Sequence, residues 1–398
     1  MSVASKAATL AGDEAAAGRL KILVICYEFP PVGGGGGRVA ARVAQGLARK
    51  GHEVRFLTSQ VAGLPREETL DGVTIRRAAA GRRRPDRCTV PEMAAYVLLQ
   101  WWPAIAEARR FRPDVIHVHF AVPSGPIAWL ASRLTGTPYV VTAHLGDVPG
   151  GVPEQTDRLF KLVKPFTTLI WRRAAATTAV ASHVGQLAEA AYAVRPDVIL
   201  NGIDMSTDLV RAPAQDGAPL RLIWCGRIQE QKNLGAGLEA LAAIRDLDWT
   251  LDIIGDGPLR GDAQERCRRL RLDHLVRFHH WMTAKEVETE MAAADVLYLP
   301  SLSEGLSLVT VEALRVGLAF VASRIPGVMD VVVEGENGLL CDPSSPAEFA
   351  AAVARLVENR LLLARFQANS AGRRLQFDEQ TMVAGYERVL RMASKAGR

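Results

Sequence analysis

Cysteine is sparse in this chain, five residues in 398, and no two of them form a Cys-x-x-Cys. Cys26, Cys88, Cys225, Cys267 and Cys341 are odd in number and widely spread, which leaves no paired framework and fits buried thiols in a reducing cytoplasm. Long apolar runs are missing as well. No stretch approaches the ~18–20 continuous apolar residues of a membrane span. The Ala-rich start, Met1 to Gly18, carries Lys6, Asp13 and Glu14 and lacks the apolar core of a signal peptide, so a disordered, frayed tail is expected there. No Asp-x-Asp stands in a metal-binding context, and His117 and His119 share one strand face without a third ligand at metal spacing, so no metal site is expected. Aromatic residues make up 6% of the chain, and none interleaves the arginine-rich segment Arg76, Arg77, Arg82, Arg83, Arg84, Arg87. A nucleic-acid-binding surface wants such stacking partners, so that class is disfavoured.

What is present is an ordinary globular composition, 48% hydrophobic and 23% charged, in a chain long enough for two cores. The net charge of +5 is unevenly spread, with a second basic group at Lys161, Lys164, Arg172 and Arg173. Such patches serve an anionic substrate, an anionic lipid or nucleic acid, or are plain solvated surface.

Short apolar runs alternate with helical spacing along the chain. Lys21 to Cys26, Val54 to Thr58, Val115 to Phe120 and Tyr139 to Ala143 read as parallel strands covered on both faces. A loop from Phe29 to Gly37 is expected before a helix over Arg38 to Lys50. Asn201 to Pro219 breaks the alternation. It restarts with strands at Leu220 to Cys225, Leu251 to Ile254, Val276 to His279, Val296 to Leu299 and Phe320 to Ala322. Two α/β domains follow from this, each doubly wound, with ligands expected outside the carboxyl ends of the strands.

Four segments at such strand ends carry chemistry. Gly33 to Gly37 is a run of five glycines between strand and helix, where Gly34, Gly35 and Gly36 permit close backbone approach to an anion at the helix start. A dinucleotide-binding turn is disfavoured, because Tyr27 to Val32 lengthens the loop and the next strand ends in Leu57-Thr58 without an acid. Gly226-Arg227 to Lys232-Asn233 places two cations at a loop-to-helix junction, suited to a diphosphate whose charge grows as a bond breaks. His144 ends the strand Tyr139 to Ala143. Ser303 to Leu314 holds Glu304 and Glu312 around a Gly/Ser turn, with the N–H groups of Leu306, Ser307 and Leu308 near a helix start. On one continuous helix the two glutamates would lie about 12 Å apart. A glycosidase pair at about 5 Å is thereby disfavoured.

The last segment resembles the Glu-x7-Glu motif of retaining glycosyltransferases of the GT4 family. Gly226-Arg227 with Lys232-Asn233, His144 with Asp147, Ile253 to Pro258, and Asn201 to Asp204 resemble other landmarks of the same family. The resemblance covers most of residues 20–370. Departures are Leu306 where relatives carry an aromatic, Ser307 for the second small residue, and Asp330 where many have glutamate. It implies a GT-B fold: an α/β architecture of two facing Rossmann-like domains with a cleft between them. The domains would be an acceptor-binding one over 19–200 and a nucleotide-sugar-binding one over 219–372, joined by a linker at 201–218. A final helix over 373–398 would cross back to the first.

The activity implied is metal-independent transfer of a hexose-type unit, with retention, from a nucleoside diphosphate sugar to a hydroxyl of a small-molecule, glycan or lipid-linked acceptor. The sugar nucleotide would be a co-substrate, with no bound cofactor. The resemblance assigns the pyrophosphate to Arg227 and Lys232 and the neighbourhood of the reacting centre to His144. Glu304 would take donor-sugar hydroxyls and Glu312 the ribose, with Trp281 and Met282 near the nucleobase. Rivals are an epimerase or phosphorylase on the same fold and a basic nucleic-acid-binding protein. A cytoplasmic enzyme is expected. Peripheral contact with the inner membrane face is suggested by Arg158 to Arg173 and by Trp101-Trp102, where cations and aromatics mix. The oligomeric state is unread.

Overall fold

A computed structural model describes residues 18–85, 88–206, 209, 211 and 217–396, with the side chains of 153–159 and 161–162 left aside. Residues 1–17 of the tail expected over 1–18, Arg87 and much of the linker region lie outside the described residues.

In chain order the elements are β1 (Lys21–Ile25), α1 (Gly35–Arg49), β2 (Glu53–Ser59), β3 (Glu67–Leu70), β4 (Val73–Ala78), α2 (Val90–Phe111), β5 (Val115–His119), α3 (Gly125–Thr135), β6 (Tyr139–Ala143), α4 (Pro153–Arg173), β7 (Ala176–Ala179), α5 (Ser182–Tyr192) and β8 (Asp197–Val198). Then come β9 (Leu220–Cys225), α6 (Leu234–Ala242), β10 (Trp249–Ile254), α7 (Arg260–Arg269), β11 (Val276–His279), α8 (Ala284–Ala293), β12 (Val296–Leu299), α9 (Leu308–Val316), β13 (Ala319–Ser323), α10 (Pro326–Met329), β14 (Gly338–Cys341), α11 (Pro346–Glu358), α12 (Arg360–Arg373) and α13 (Glu379–Ala396).

The strands form two sheets. One has eight strands in the order β3-β4-β2-β1-β5-β6-β7-β8, and the other six in the order β11-β10-β9-β12-β13-β14. The second is parallel throughout its described pairings, and its order reverses between β9 and β12. In the first sheet the reversal falls between β1 and β5, which pair in parallel. Where strand order reverses, the loops leaving two neighbouring strands diverge to opposite faces and open a crevice. The expected doubly wound α/β class is therefore what the sheets adopt. Central strands such as β1, β5, β6, β12 and β13 are buried along nearly their whole length because helices cover both faces. Trp224, Trp249 and Tyr298 are buried around the second sheet, and the Trp249 indole and Tyr298 hydroxyl each donate to a backbone carbonyl.

By contacts the chain divides into two compact units. One comprises Met1–Thr142, Leu169–Ala176 and Tyr386–Arg398, the other Ala143–Thr168 and Thr177–Gly385. Within the first, Glu387 on α13 accepts from Lys50 Nζ at 2.6 Å and from Arg391 Nε at 2.9 Å, and lies 3.2 Å from His52 Nε2.

Three local readings need correction. Helix α1 begins at Gly35 rather than Arg38, so Gly35 to Gly37 form its first turn. Their poor helix propensity is outweighed by packing: a Cβ on Gly36 would fall 2.2 Å from the Phe120 ring, and one on Gly37 2.8 Å from Glu28. The antiparallel hairpin β3–β4 was not anticipated, although Asp71-Gly72, both at positive φ, is its turn signal. The arginine-rich segment is only partly an open basic patch. Arg76 pairs with Glu67 and Glu107, Arg77 is buried against Glu68, and Arg82 is buried against the carbonyls of Arg84 and Pro85. Arg83 and Arg84 stay exposed, so the open charge is smaller than the sequence suggests.

Candidate active site

The strongest concentration of the expected residues lies at the reversal point of the second sheet. The loop leaving β9 carries Gly226, Arg227 and Lys232, and the loop leaving its neighbour β12 carries Glu304. Lys232 Nζ lies 2.5 Å from Glu304 Oε1. Both side chains are largely shielded from solvent, and Ser301 Oγ donates to the same carboxylate oxygen at 2.8 Å. The two loops are tied further by Gln231, whose Nε2 donates to Ser303 O at 2.9 Å while its own carbonyl accepts from Leu302 N at 2.8 Å. Arg227 is half-buried beside Gly226 in the same turn.

The loop leaving β10 holds that turn in place. Gly226 N donates to Ile254 O and Ile228 N to Asp256 O, continuing the strand pairing beyond the strands. Only glycine fits at 255 and 257. A Cβ at Gly255, which has φ +140, would fall 1.9 Å from Gly226 O, and one at Gly257 would fall 2.3 Å from Ile228 O. Arg260 Nη1 then clamps Gly255 O at 2.6 Å and His279 O at 2.7 Å. The motif Ile253 to Pro258 thus owes its glycines to backbone-on-backbone contact under the Arg227 turn.

Glu304 sits in the loop and Glu312 on α9, so the two do not share a helix. Ser307 is the N-cap, and its carbonyl accepts from Thr310 N at 3.1 Å. The N–H groups of Leu306, Ser307 and Leu308 therefore lie at a helix start, where intrahelical acceptors are lacking. Leu306 is buried, and its carbonyl accepts from Asn201 Nδ2 at 3.0 Å. Glu312 is half-buried and acts on the Cys225 thiol at the end of β9, which burial first of all, and then this carboxylate, push well up. Beneath the loop, Gly327 touches backbone. A Cβ there would lie 1.8 Å from Gly305 O and 2.2 Å from Glu304 O.

The His144 loop belongs to the same unit. His144 is buried, and burial pulls its imidazole down to about 3, so the ring is neutral. Its backbone N–H donates to Asp147 Oδ1 at 2.7 Å, and the loop reaches the glutamate turn, where a Cβ on Gly305 would lie 3.4 Å from that of Leu145. Asp330 is half-buried near Ser182 and His183, and burial raises its carboxyl.

Trp281 and Met282 follow β11, two strands from β9 and so roughly 10 Å away by sheet spacing. Trp281 is 74% exposed. Gly34, Gly35 and Gly36 lie in the other unit, at the reversal point between β1 and β5. Gly34 N donates to Glu28 Oε2 at 3.0 Å, and the space a Cβ would take at Gly34 and Gly35 is open. His117 and His119 are buried structural residues, their rings 4.2 Å apart, with His117 Nε2 2.7 Å from Thr142 Oγ1. Ser301, Gln231, Gly327 and Arg260 escaped the sequence reading as site-builders. Pro300-Ser301 before the motif was the one signal available, since Gln231 and Gly327 act through partners remote in the chain and Arg260 bridges Gly255 to the distant His279.

Residues 33–207 match the family described as Glycosyltransferase Family 4, and residues 219–359 match Glycosyl transferases group 1. The 2-deoxystreptamine glucosyltransferase of Streptomyces kanamyceticus is 31% identical over 389 residues, covering 88% of this chain and 97% of that protein. The glycogen synthase of Mycobacterium tuberculosis is 29% identical over 408 residues, 95% of this chain and 96% of its own. Among solved structures, sucrose-phosphate synthase from Thermosynechococcus elongatus superposes with a TM-score of 0.80 at 20% identity over 95% of this chain and 100% of that one. Anabaena HepE in complex with UDP and glucose gives 0.73 at 20% identity, over 94% and 100%. At such identities these two likenesses speak for the fold.

Proposed function

This chain belongs to glycosyltransferase family 4, and from that premise we propose that it moves a hexose-type unit from a nucleoside diphosphate sugar to a hydroxyl acceptor, with retention and without a metal ion. The observation that carries the reading is the contact between Lys232 and Glu304 at the reversal point of the second sheet. One cation and one carboxylate stand side by side there, as a diphosphate joined to a sugar requires.

In this reading the bond from the anomeric carbon to the diphosphate oxygen breaks while positive charge grows on the sugar ring. Arg227, Lys232 and the N–H groups of Leu306, Ser307 and Leu308 take up the negative charge of the departing diphosphate. Glu304 accepts from hydroxyls of the donor sugar, and neutral His144 offers a hydrogen bond close by. Glu312 accepts from the ribose, and Trp281 with Met282 meets the base. The acceptor oxygen bonds to the anomeric carbon on the face the diphosphate leaves, and its proton passes to the departing phosphate. A structural neighbour that holds UDP and glucose supports a nucleoside diphosphate as donor. One relative is named for 2-deoxystreptamine and another for glycogen, so the acceptor is defined here only as a hydroxyl.

The test is a thermal-shift screen over UDP-, GDP-, ADP- and dTDP-sugars in EDTA, followed by NMR of the anomeric configuration of the product. One nucleotide series should raise Tm, and the α or β configuration of its sugar should persist. A protein indifferent to all four series ends the proposal. Turnover abolished by EDTA removes the metal-free part, and inversion removes retention.

A further inference from the structure

Helix α2 carries apolar residues on both faces. Its inner face buries Tyr96, Ile105 and Phe111 together with two polar side chains: Gln100 is 0% exposed and donates to Ala78 O at 2.7 Å, and Glu107 is 3% exposed and paired with Arg55 and Arg76. Its outer face leaves further large apolar residues in solvent, with Leu98 71%, Trp102 59%, Leu99 47% and Trp101 42% exposed. Ala94, Leu98, Trp101 and Trp102 recur at three- and four-residue spacing, so they form one outward stripe. Soluble proteins seldom leave such a stripe bare. The stripe runs into Arg109, Arg110 and Arg112, all exposed at the end of the helix. Helix α3, which packs against α2, adds exposed Arg133 and Leu134 and contains no acidic residue.

We propose that this face of α2 docks on an anionic lipid bilayer, lying in the interface with Leu98, Trp101 and Trp102 inserted and the arginines on the headgroups. Charge decides between lipid and protein as the occupant. A second copy of the same face would bring only more arginine to the arginines, whereas anionic headgroups complement them. Tryptophan pairs and arginines at the rim of an apolar stripe are what an interfacial helix needs. None of the described helices is long and apolar enough to cross a membrane, so the helix lies on the surface and does not span it. The docking face stands independently of the sugar-transfer reading, because no donor-site residue contributes to it.

The experiment is co-sedimentation of the full chain with vesicles of phosphatidylcholine alone or mixed with phosphatidylglycerol, at low and high salt, with light scattering to give the mass in solution. Wild type should bind the anionic vesicles, and high salt should release it. L98S/W102S should weaken binding at least about tenfold, and R109E/R110E by at least about tenfold. All four positions are exposed, so the melting temperatures should stay near wild type. Brominated lipid should quench wild-type tryptophan fluorescence, and W101F/W102F should lose that quenched component. The proposal is overturned if wild type ignores anionic vesicles, if both double variants bind as well as wild type, or if L98S/W102S dissolves a dimer while lipid binding is absent.

Discussion

Lys232 and Glu304 are 72 residues apart in the chain and 2.5 Å apart in space. Both are largely shielded from solvent, and Ser301 donates to the same carboxylate oxygen. Each therefore has two tasks. As a pair they neutralise one another in a shielded turn. In the proposed reading they also present a positive and a hydrogen-bond-accepting group to adjoining parts of one ligand. A substitution at either position removes both tasks, and the double variant separates them.

Lys232→Met is expected to lower turnover about 10²–10³-fold, and also to lower Tm, because it leaves the Glu304 carboxylate shielded and unpaired. Adding Glu304→Gln should restore most of the Tm and none of the turnover. Steady-state kinetics beside differential scanning fluorimetry reads both, and a double variant that regains activity would remove Lys232 from the site.

Gly327→Ala should act on the site without touching a ligand. Its methyl would collide with the carbonyls of Gly305 and Glu304, and overpacking of this kind costs about 1–3 kcal/mol. Affinity for the donor, measured by calorimetry, should fall along with Tm. Wild-type donor affinity in a folded Gly327→Ala would show that the glutamate turn does not contribute to binding.

His144 predicts a missing feature. Burial keeps it neutral down to about pH 3, so it should contribute no ionisation to kcat between pH 6 and 8. His144→Ala should lower kcat by one factor across that range. Because the folded pKa lies below the unfolded one, the histidine's contribution to stability is complete above about pH 6.5 and declines as pH falls toward 3. His144→Gln should accordingly gain on wild type in acid. An acidic limb near 6.5 that disappears in His144→Ala would contradict the neutral assignment.

Glu387 should mark the acid limit of the first unit. Burial would raise its carboxyl, but hydrogen bonds from Lys50, Arg391 and His52 hold it down at about 2. Its contribution to stability is therefore complete above the unfolded value near 4.5 and is lost as pH falls toward 2. Wild type should melt above Glu387→Gln at neutral pH, and the two should converge in acid. A gap that persists unchanged at pH 3 would mean the contacts, and not the charge, stabilise the fold.

How much of this was legible differs from element to element. Tyr139–Ala143, Leu220–Cys225, Val276–His279 and Val296–Leu299 are read from the chain residue for residue; for Tyr139–Ala143 and Val296–Leu299 the reason is that parallel strands covered on both faces show as largely apolar runs. The start of α1 was misread because five glycines look like loop until Phe120 and Glu28 are seen packed on them. Helix α2 went unread for a related reason: with Gln100 and Glu107 inward and Leu98 and Trp102 outward, its periodicity gives no dependable inside. The arginines at 76, 77 and 82 look like a basic patch in one dimension, and only the fold brings Glu67, Glu68 and Glu107 to them.

From the chain alone came the kind of protein this is, two doubly wound α/β sheets, and the residues at the strand ends that carry charge, since apolar periodicity and short motifs are local properties. Tertiary structure decided which of those residues meet. Lys232 touches Glu304 because β9 and β12 became neighbours at the point where strand order reverses, and the glycines at 255, 257 and 327 are needed because backbones from remote segments touch there. Pairings of that sort depend on where the chain returns in space, which no local pattern encodes.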